Sequence, residues 1–250
     1  MSFTIAVAGK GGVGKTTVAG LLVRYLVEKG MVPVLAVDAD ANSNLNEVLG
    51  LDLDATLGDA REEMKSGQSQ GMTKNLFIEM RVNQCLMESK GFDLIAMGRP
   101  EGAGCYCAAN HLLTECMDKL ADNYKYLVVD NEAGMEHISR VTTQAVDLLL
   151  VVSDPSKRSL TAAGRVQQLA KEMKILKGPC WLILSMVRGE PAPALLKTAE
   201  DLGLELAGSI PDDEQLASFD LEGKPTSQLQ ADNPVVKAAY SIYEKVIPNT

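Results

Sequence analysis

The sequence predicts an α/β fold: a single domain with a doubly wound, mainly parallel sheet and helices on both faces. Short apolar segments alternate along the chain with segments of helical periodicity, the order of elements found in such sheets. Some apolar segments, such as residues 148–152, are continuously hydrophobic, as expected of strands covered on both sides. The 250 residues are 46% hydrophobic and 23% charged, an ordinary composition for a globular domain. We therefore expect residues 1–250 to form one domain.

The predicted elements follow one another from the first residues onward. A buried strand over residues 3–8 leads into a glycine-rich loop, and a helix then runs from about Gly14 to a natural C-terminal cap at Gly30. The polar residues 54–74 contain several glycines and predict a mobile surface excursion. Further strands are predicted at 33–37, 93–97, 126–130, 147–152, 180–186 and 206–210. Further helices are predicted at about 108–122, 136–145, 158–174, 191–202 and 234–246.

The loop after the first strand has the complete spacing of a phosphate-binding loop, with Gly9 followed after four residues by Gly14-Lys15-Thr16. Glycines let backbone N–H groups face phosphates, Lys15 can reach the β- and γ-phosphates, and the Thr16 hydroxyl can bind Mg²⁺. The alternative is a glycine-rich turn without a ligand, which the order of strand, loop and helix disfavours. The predicted residues for ATP or ADP are Gly9, Lys10, Gly11, Gly12, Val13, Gly14, Lys15, Thr16 and Thr17, together with Pro211 after the last predicted strand.

A second lysine in this loop, Lys10, resembles the signature of the deviant P-loop family that includes nitrogenase iron protein, MinD, ParA and ArsA. In that family a lysine at this position crosses a dimer interface to the nucleotide of the partner subunit. The resemblance implies an ATPase that encloses ATP between two subunits of a homodimer. Lys10 and Lys15 are the catalytic lysines that it implies.

Two polar segments follow predicted strands, where ligands collect in sheets of this class. Asp38 and Asp40 resemble switch I of the deviant P-loop family, whose carboxylates help to place Mg²⁺ and the attacking water. Which of the two orients the water stays open, and a turn or capping role is the alternative. The segment Asp-Asn-Glu-Ala-Gly at residues 130–134 resembles switch II. That resemblance implies that Asp130 holds Mg²⁺ through water and that the Gly134 N–H contacts the γ-phosphate.

A Cys-x-Cys pair, Cys105 and Cys107, lies in a metal-binding loop predicted at about residues 98–110. Thiolates bind Zn²⁺, Ni²⁺ and Cu(I), but two thiolates supply only half of the usual four ligands. We therefore expect two subunits to share one transition-metal ion. The approach to Cys105 also resembles the segment before the first cluster cysteine of nitrogenase iron protein, although no cysteine follows switch II in this chain. Packing without a metal is the alternative for an isolated Cys-x-Cys pair.

Together these motifs resemble the CooC family of nickel-insertion ATPases. The resemblance implies a homodimeric metallochaperone that delivers Ni²⁺, or Zn²⁺ as an alternative metal, to a client, carbon monoxide dehydrogenase or acetyl-CoA synthase. An iron–sulfur electron donor resembling nitrogenase iron protein is the alternative function. One departure is visible: where relatives carry Asn-Lys for adenine recognition, this chain has Ser185-Met186. A hydroxyl offers fewer hydrogen bonds than an amide, so strict adenine preference is in doubt.

The net charge and the hydropathy of the chain disfavour nucleic acid and membrane as partners. A formal net charge of −9 is unfavourable for binding nucleic acid, and counts against a DNA-partition ATPase. No signal peptide and no run of 18 apolar residues is visible, so we expect a cytoplasmic protein without a membrane partner. The amphipathic C-terminal helix is expected to pack on the domain. Cys116 and Cys180 fall in apolar patterns and are predicted to lie in the core.

Overall fold

Eight strands form one sheet in the part of the chain that this computed structural model describes, residues 2–65, 74–99, 107–132 and 146–248. The strands are β1 (Phe3–Gly9), β2 (Val34–Ala39), β3 (Leu86–Glu88), β4 (Phe92–Ala96), β5 (Tyr126–Asn131), β6 (Leu148–Ser153), β7 (Cys180–Val187) and β8 (Glu205–Pro211). Their order across the sheet is β3-β4-β2-β5-β1-β6-β7-β8. The short edge strand β3 is antiparallel to β4, and all other neighbours are parallel. The mainly parallel sheet that the sequence predicts is confirmed.

Helices cover both faces of the sheet. They are α1 (Lys15–Glu28), α2 (Leu45–Leu49), α3 (Leu57–Lys65), α4 (Lys74–Cys85), α5 (Cys107–Leu120), α6 (Lys157–Glu172), α7 (Pro193–Asp201), α8 (Glu214–Leu221) and α9 (Pro234–Val246), with short 3-10 turns at Ala121–Asn123 and Thr226–Gln228. None of these helices combines the length and the apolar character needed to cross a membrane. The sequence did not predict α2, α4, α8 or β3, and the helix predicted at 136–145 lies outside the described residues.

The helices α1 and α9 pack together on one face of the sheet. The Tyr243 hydroxyl of α9 donates a hydrogen bond of 2.8 Å to the carbonyl oxygen of Val18 in α1. The rings of Tyr25 and Tyr243 meet edge to face with centroids 5.5 Å apart. On the opposite face, Cys116 of α5 is buried, as is Cys180 at the start of β7, so the prediction of both as core residues is confirmed. The C-terminal helix therefore buries its apolar side within the domain, as predicted.

The strand order determines where ligands can bind. The strand β1 lies between β5 and β6, with β2 beyond β5, so strands from both halves of the chain flank the end of β1. In such a sheet the crevice at the carboxyl ends of these strands is the expected ligand site. The parallel register pairs Asp130 of β5 with Val7 of β1 and with Asp38 of β2. The ends of three neighbouring strands thus bring both carboxylates beside the loop that follows β1.

The prediction for residues 54–74 is wrong over α3, where the chain forms a helix with Leu57 and Ala60 buried. A reciprocal cap starts this helix: Asp59 Oδ2 accepts from the Thr56 N–H at 2.9 Å, and Thr56 Oγ1 accepts from the Asp59 N–H at 3.2 Å. A helix this polar is stabilised by its cap and by a narrow apolar face, so average polarity is a poor guide to it. Residues 66–73 lie outside the described residues.

Burial of Leu57 makes the presence of α3 testable by mutation. Leu57 is fully buried, whereas Leu221 at the end of α8 is 90% exposed. We expect Leu57→Ala to lower the free energy of unfolding by about 2–4 kcal/mol, because it removes buried methyl groups and leaves a cavity. The matched control Leu221→Ala should change it by less than about 0.5 kcal/mol in the same urea titration. Equal effects of the two substitutions would contradict a packed α3.

Candidate functional site

The loop between β1 and α1 has a backbone shape that requires glycine. Gly14 lies in the left-handed region with φ 82° and caps the N-terminus of α1. At Gly9 a Cβ would collide with the carbonyl oxygen of Val152 in β6, so the loop begins in close contact with the neighbouring strand. The first turn of α1 contains no acidic side chain. The unpaired N–H groups and the positive end of this helix are therefore open to an anion such as phosphate.

The two lysines of the loop have opposite environments. Lys15 is 8% exposed, and its Nζ donates to the Lys10 carbonyl oxygen at 3.3 Å. Burial lowers the pKa of Lys15, while the nearby carboxylates of Asp130 and Asp40 act in the opposite direction. Lys10 is exposed at the surface of the loop. Lys15 thus points across its own loop, and Lys10 is accessible from outside.

Asp38 organises the segment after β2. Its Oδ1 accepts from the Asp40 N–H at 3.0 Å and its Oδ2 from the Leu45 N–H at 2.9 Å, which fixes the turn before α2. Burial raises the pKa of Asp38 to about 6, although these backbone hydrogen bonds oppose the rise. Asp40 is half-buried, and its Oδ1 accepts from the backbone and side-chain N–H groups of Asn42 at 2.8 and 3.1 Å. Both oxygens of Asp38 are therefore occupied by backbone, and Asp40 is the more accessible carboxylate.

Asp130 lies at the centre of the site with 1% of its surface exposed. The Thr16 hydroxyl donates a hydrogen bond to its carboxylate, and burial raises its pKa to about 7. Its Oδ1 has no hydrogen-bond partner among the described residues. The next residue, Asn131, is equally buried, and its Nδ2 donates to the Val7 carbonyl oxygen at 3.0 Å. Asn131 thus ties β5 to the strand before the loop, a contact that the sequence analysis missed and that only its place directly after an apolar strand could have suggested.

The residues present fit a magnesium ion. Mg²⁺ in nucleotide sites is bound by one or two protein oxygens together with phosphates and waters. The Thr16 hydroxyl and the unpaired Asp130 Oδ1 are such oxygens, and they lie beside the cationic loop. Among the described residues no group of three or more His, Cys, Asp or Glu side chains could hold a metal by itself. A cation at Thr16 and Asp130 would therefore depend on nucleotide phosphates and water for its remaining ligands.

A cavity of about 350 Å³ adjoins the loop on the side of β7 and β8. Its lining includes Gly14, Thr17, Met186, Pro211 and Leu216, so Pro211 borders the same cavity as residues of the loop, and its contact with a nucleotide stays a prediction. Ser185 is also at this cavity but is 4% exposed, and its hydroxyl donates to the Val13 carbonyl oxygen at 2.7 Å. Ser185 therefore holds the loop against β7. A cavity of this size beside a phosphate-binding loop suits a nucleobase.

Part of the predicted site lies in segments outside the described residues. Cys105 and Gly134 lie outside the described residues, and Cys107 is known only as the first residue of α5. Both the metal assignment and the switch II contact to phosphate therefore stay predictions. By contrast, the loop after β1 and the aspartates that end β2 and β5 lie together at one edge of the sheet.

Comparison with known proteins agrees with this geometry. Residues 4–226 match the CobQ/CobB/MinD/ParA nucleotide-binding domain family. The chain belongs to this family. An uncharacterized ATP-binding protein of Methanocaldococcus jannaschii is 42% identical over 248 residues, covering 97% of this chain and 98% of the relative. The carbon monoxide dehydrogenase accessory protein CooC of Rhodospirillum rubrum is 34% identical over 235 residues, covering 88% and 87% of the two chains.

Solved structures support the same assignment of fold. MinD of Pyrococcus horikoshii complexed with Mg-ADP superimposes with a TM-score of 0.74 at 23% identity, covering 98% of this chain and 96% of that one. MinD of Pyrococcus furiosus gives a TM-score of 0.73 at 25% identity, with 98% of each chain covered. The protein is an ATP-binding, MinD/ParA-like P-loop NTPase with a single-domain α/β fold.

The raised pKa of Asp130 predicts how the stability of this NTPase depends on pH. Folded Asp130 holds its proton up to about pH 7, whereas an unfolded aspartate loses it near pH 4. The folded state binds more protons between these values, so its stability falls as the pH rises through this window. Asp130→Asn keeps the shape and a hydrogen-bond acceptor but removes the titration. In EDTA without nucleotide, we expect the variant to be more stable than wild type at pH 8 by about 2–4 kcal/mol, with little difference at pH 4.

Urea titrations of both proteins from pH 4 to 8 measure this difference. If the difference in free energy of unfolding between Asp130→Asn and wild type does not grow from pH 4 to 8, Asp130 is ionised in the folded protein throughout this range.

Proposed function

We propose that this NTPase is an ATP-hydrolysing metallochaperone that delivers Ni²⁺ to carbon monoxide dehydrogenase or acetyl-CoA synthase. The observation that carries the proposal is the 34% identity to a carbon monoxide dehydrogenase accessory protein, which extends over 88% of this chain. The ATP site described above supports the hydrolytic half of the proposal. Cys105 and Cys107, which the sequence places in one loop, are the proposed ligands of the metal cargo.

The two lysines support a homodimer that encloses ATP between its subunits. Lys15 is buried and contacts its own loop, so its proposed role is to neutralise the phosphates bound by the same subunit. Lys10 is exposed on the same loop and is free to reach outward. An exposed cation beside a phosphate site suits a contact with the nucleotide of a second subunit. Lys10 is therefore the proposed contribution of each subunit to the hydrolysis of its partner's ATP.

Asp40 is the proposed residue for orienting the attacking water. Both oxygens of Asp38 are held by backbone N–H groups, so Asp38 positions the turn that carries Asp40. Water attacks the γ-phosphorus while the bond to the β-phosphate oxygen breaks, and a carboxylate at this point can accept the proton of the water. Mg²⁺, held by Thr16 and through water by Asp130, would supply charge neutralisation at the phosphate oxygens. Lys15 supplies further positive charge from the protein itself.

The helix α5 offers a connection between the metal loop and the nucleotide. It begins at Cys107 and precedes β5, whose last residues are Asp130 and Asn131. The strand β4, which precedes the metal loop, lies three positions from β1 in the sheet, about 14 Å at about 4.8 Å per strand, so the thiolates and the γ-phosphate are not expected to touch. We therefore propose indirect coupling. In it, Gly134 contacts the γ-phosphate, and a shift of switch II moves β5 and α5, which carries the metal loop at its start.

The proposed partners are a second copy of the chain and the client enzyme. The net charge of −9 is unfavourable for binding nucleic acid, and we propose no such partner. The apolar side of α9, including Val235 and Ile242, is buried within the domain and is not available to a membrane. A cytoplasmic location completes the proposal.

Substitution of each loop lysine tests the enclosed-ATP mechanism. Lys15→Ala should abolish ATP hydrolysis because its own subunit no longer binds the phosphates. Lys10→Ala should abolish hydrolysis while ATP still binds, because the missing charge belongs to the partner's site. The matched control Lys237→Ala removes an exposed lysine of α9 and should hydrolyse ATP at the wild-type rate.

Mixing the two inactive proteins shows whether Lys10 acts across the interface. In an equimolar mixture half of the dimers are mixed, and each mixed dimer has one complete site, so about a quarter of the wild-type rate should return. If Lys10 acted within its own subunit, no site in the mixture would be complete and no activity would return. A wild-type rate for Lys10→Ala alone would also contradict the mechanism.

Metal stoichiometry tests the Cys-x-Cys site. Four thiolates from two subunits should bind one Ni²⁺ or Zn²⁺ per dimer, with an affinity that rises with pH because thiols must lose protons. Cys105→Ala or Cys107→Ala should remove tight binding and leave ATP binding intact. Cys180→Ala, which removes a buried core thiol, is the matched control and should keep the metal.

Two outcomes would contradict the shared site: one ion per chain, or undiminished binding after replacement of both cysteines. Iron-dependent visible absorbance after anaerobic reconstitution would favour the alternative of an iron–sulfur protein. Delivery itself is measured by adding the nickel-loaded protein and ATP to a nickel-free client enzyme.

A further inference from the structure

We propose that Met186 sets the nucleobase selectivity of this NTPase, and that its apolar contact allows guanine and adenine nucleotides to bind with similar affinity. The inference rests on the proposed use of the cavity beside the loop as the nucleobase site. It follows from the orientation of Ser185, the backbone of Met186 and the kind of polar groups that line the cavity.

Ser185 has no proton to offer a base. A serine hydroxyl has one donor, and here it is directed to the Val13 carbonyl oxygen at 2.7 Å, with the Ser153 carbonyl oxygen 3.2 Å away. The residue is 4% exposed, so its remaining lone pairs are also enclosed. Ser185 therefore stabilises the phosphate-binding loop, and the residue after it is the one presented to the cavity.

Met186 is displaced from the sheet by an irregular backbone. Its φ of 56° lies in the left-handed region, which is uncommon for a residue other than glycine. The pairing of β7 with β8 is interrupted between Leu184 and Val187, so Met186 does not continue the regular ladder. The residue is 45% exposed, and its terminal methyl would lie 3.8 Å from a Cβ placed on Gly14. Strained backbone that directs a side chain over a ligand cavity is typical of functional sites.

The polar side chains at the cavity discriminate only weakly between the two purines. Three aspartates line the cavity: Asp220, Asp212, which accepts from Arg188 at 2.7 Å, and Asp213, which accepts from the Leu216 N–H at 2.8 Å. The lining also includes Thr17 and Thr226, whose hydroxyls can donate to or accept from either base. A carboxylate can accept from the adenine amino group or from the amino group and N1–H of guanine. Here Asp212 and Asp220 are exposed to solvent and Asp213 is already paired, so none of them is a buried acceptor matched to one base. A thioether supplies no donor for the guanine carbonyl and is at most a weak acceptor for the adenine amino group. Large discrimination needs matched buried hydrogen bonds, which this lining does not provide for either base.

Calorimetric titration of the full-length protein with Mg-ADP and Mg-GDP tests the selectivity. We expect the two dissociation constants to differ by less than about 30-fold, the scale of apolar discrimination. A preference of about 30-fold or more for either nucleotide would overturn the inference, and with ADP still bound it would leave the proposed ATPase function in place. Absence of ADP binding would overturn both, because no nucleotide would then occupy the cavity.

Substitution of Met186 shows whether this residue is responsible. Met186→Asn adds an amide, and asparagine tolerates left-handed backbone, so the variant should fold and should change the ratio of ADP to GDP affinity at least tenfold. Met186→Leu, the apolar control, should keep the wild-type ratio. Met186→Gly keeps the backbone but removes the contact, and should weaken both nucleotides by a similar factor of about 3–10. An unchanged ratio in Met186→Asn, or a shifted ratio in Met186→Leu, would overturn the role of Met186.

Discussion

The parallel register of β1, β2 and β5 is the constraint on which the site depends. It aligns Asp38 and Asp130 at the same level of the sheet, next to the loop that carries Lys15. All three charged side chains are almost fully buried, and burial raises the pKa of both carboxyls and lowers that of the lysine. Each group therefore has a poorer environment for its charge than water provides. A nucleotide with Mg²⁺ would compensate these charges, so affinity for such a ligand follows from the burial itself.

Contacts from the strands β5, β6 and β7 hold the phosphate-binding loop in its shape. Asn131 of β5 binds the carbonyl of Val7 before the loop, and Ser185 of β7 binds the carbonyl of Val13 within it. The carbonyl of Val152 in β6 leaves no room for a side chain at Gly9. A loop fixed in this way has little conformational entropy left to lose when phosphate binds, which favours affinity. The sequence analysis assigned no role to Asn131, and it considered Ser185 only for adenine recognition.

Local signals predicted most of the fold, and the failures have physical causes. The apolar strands and the longer helices were found because burial on both faces and helical periodicity leave strong patterns. The helix α3 was missed because a short polar helix depends on its cap, although the Thr56 and Asp59 spacing was present in the sequence. Ser185 was expected to face the base, but a hydrogen-bonding direction depends on a partner distant in sequence, here Val13.

The sequence by itself determined the chemistry: a glycine-rich loop with two lysines, carboxylates after apolar strands and a pair of cysteines. Residue type and spacing are enough to predict these features, because the shape of a loop and the ligands it prefers depend mainly on residues close together in the sequence. Only the tertiary structure decided that Lys15 is buried and Lys10 exposed, and that Asp38 is held by backbone while Asp40 stays accessible. It also decided that Met186 is exposed at the cavity beside the loop, while the Ser185 hydroxyl is directed to Val13. Burial and hydrogen-bond direction depend on strand order and register, which join residues more than 100 positions apart.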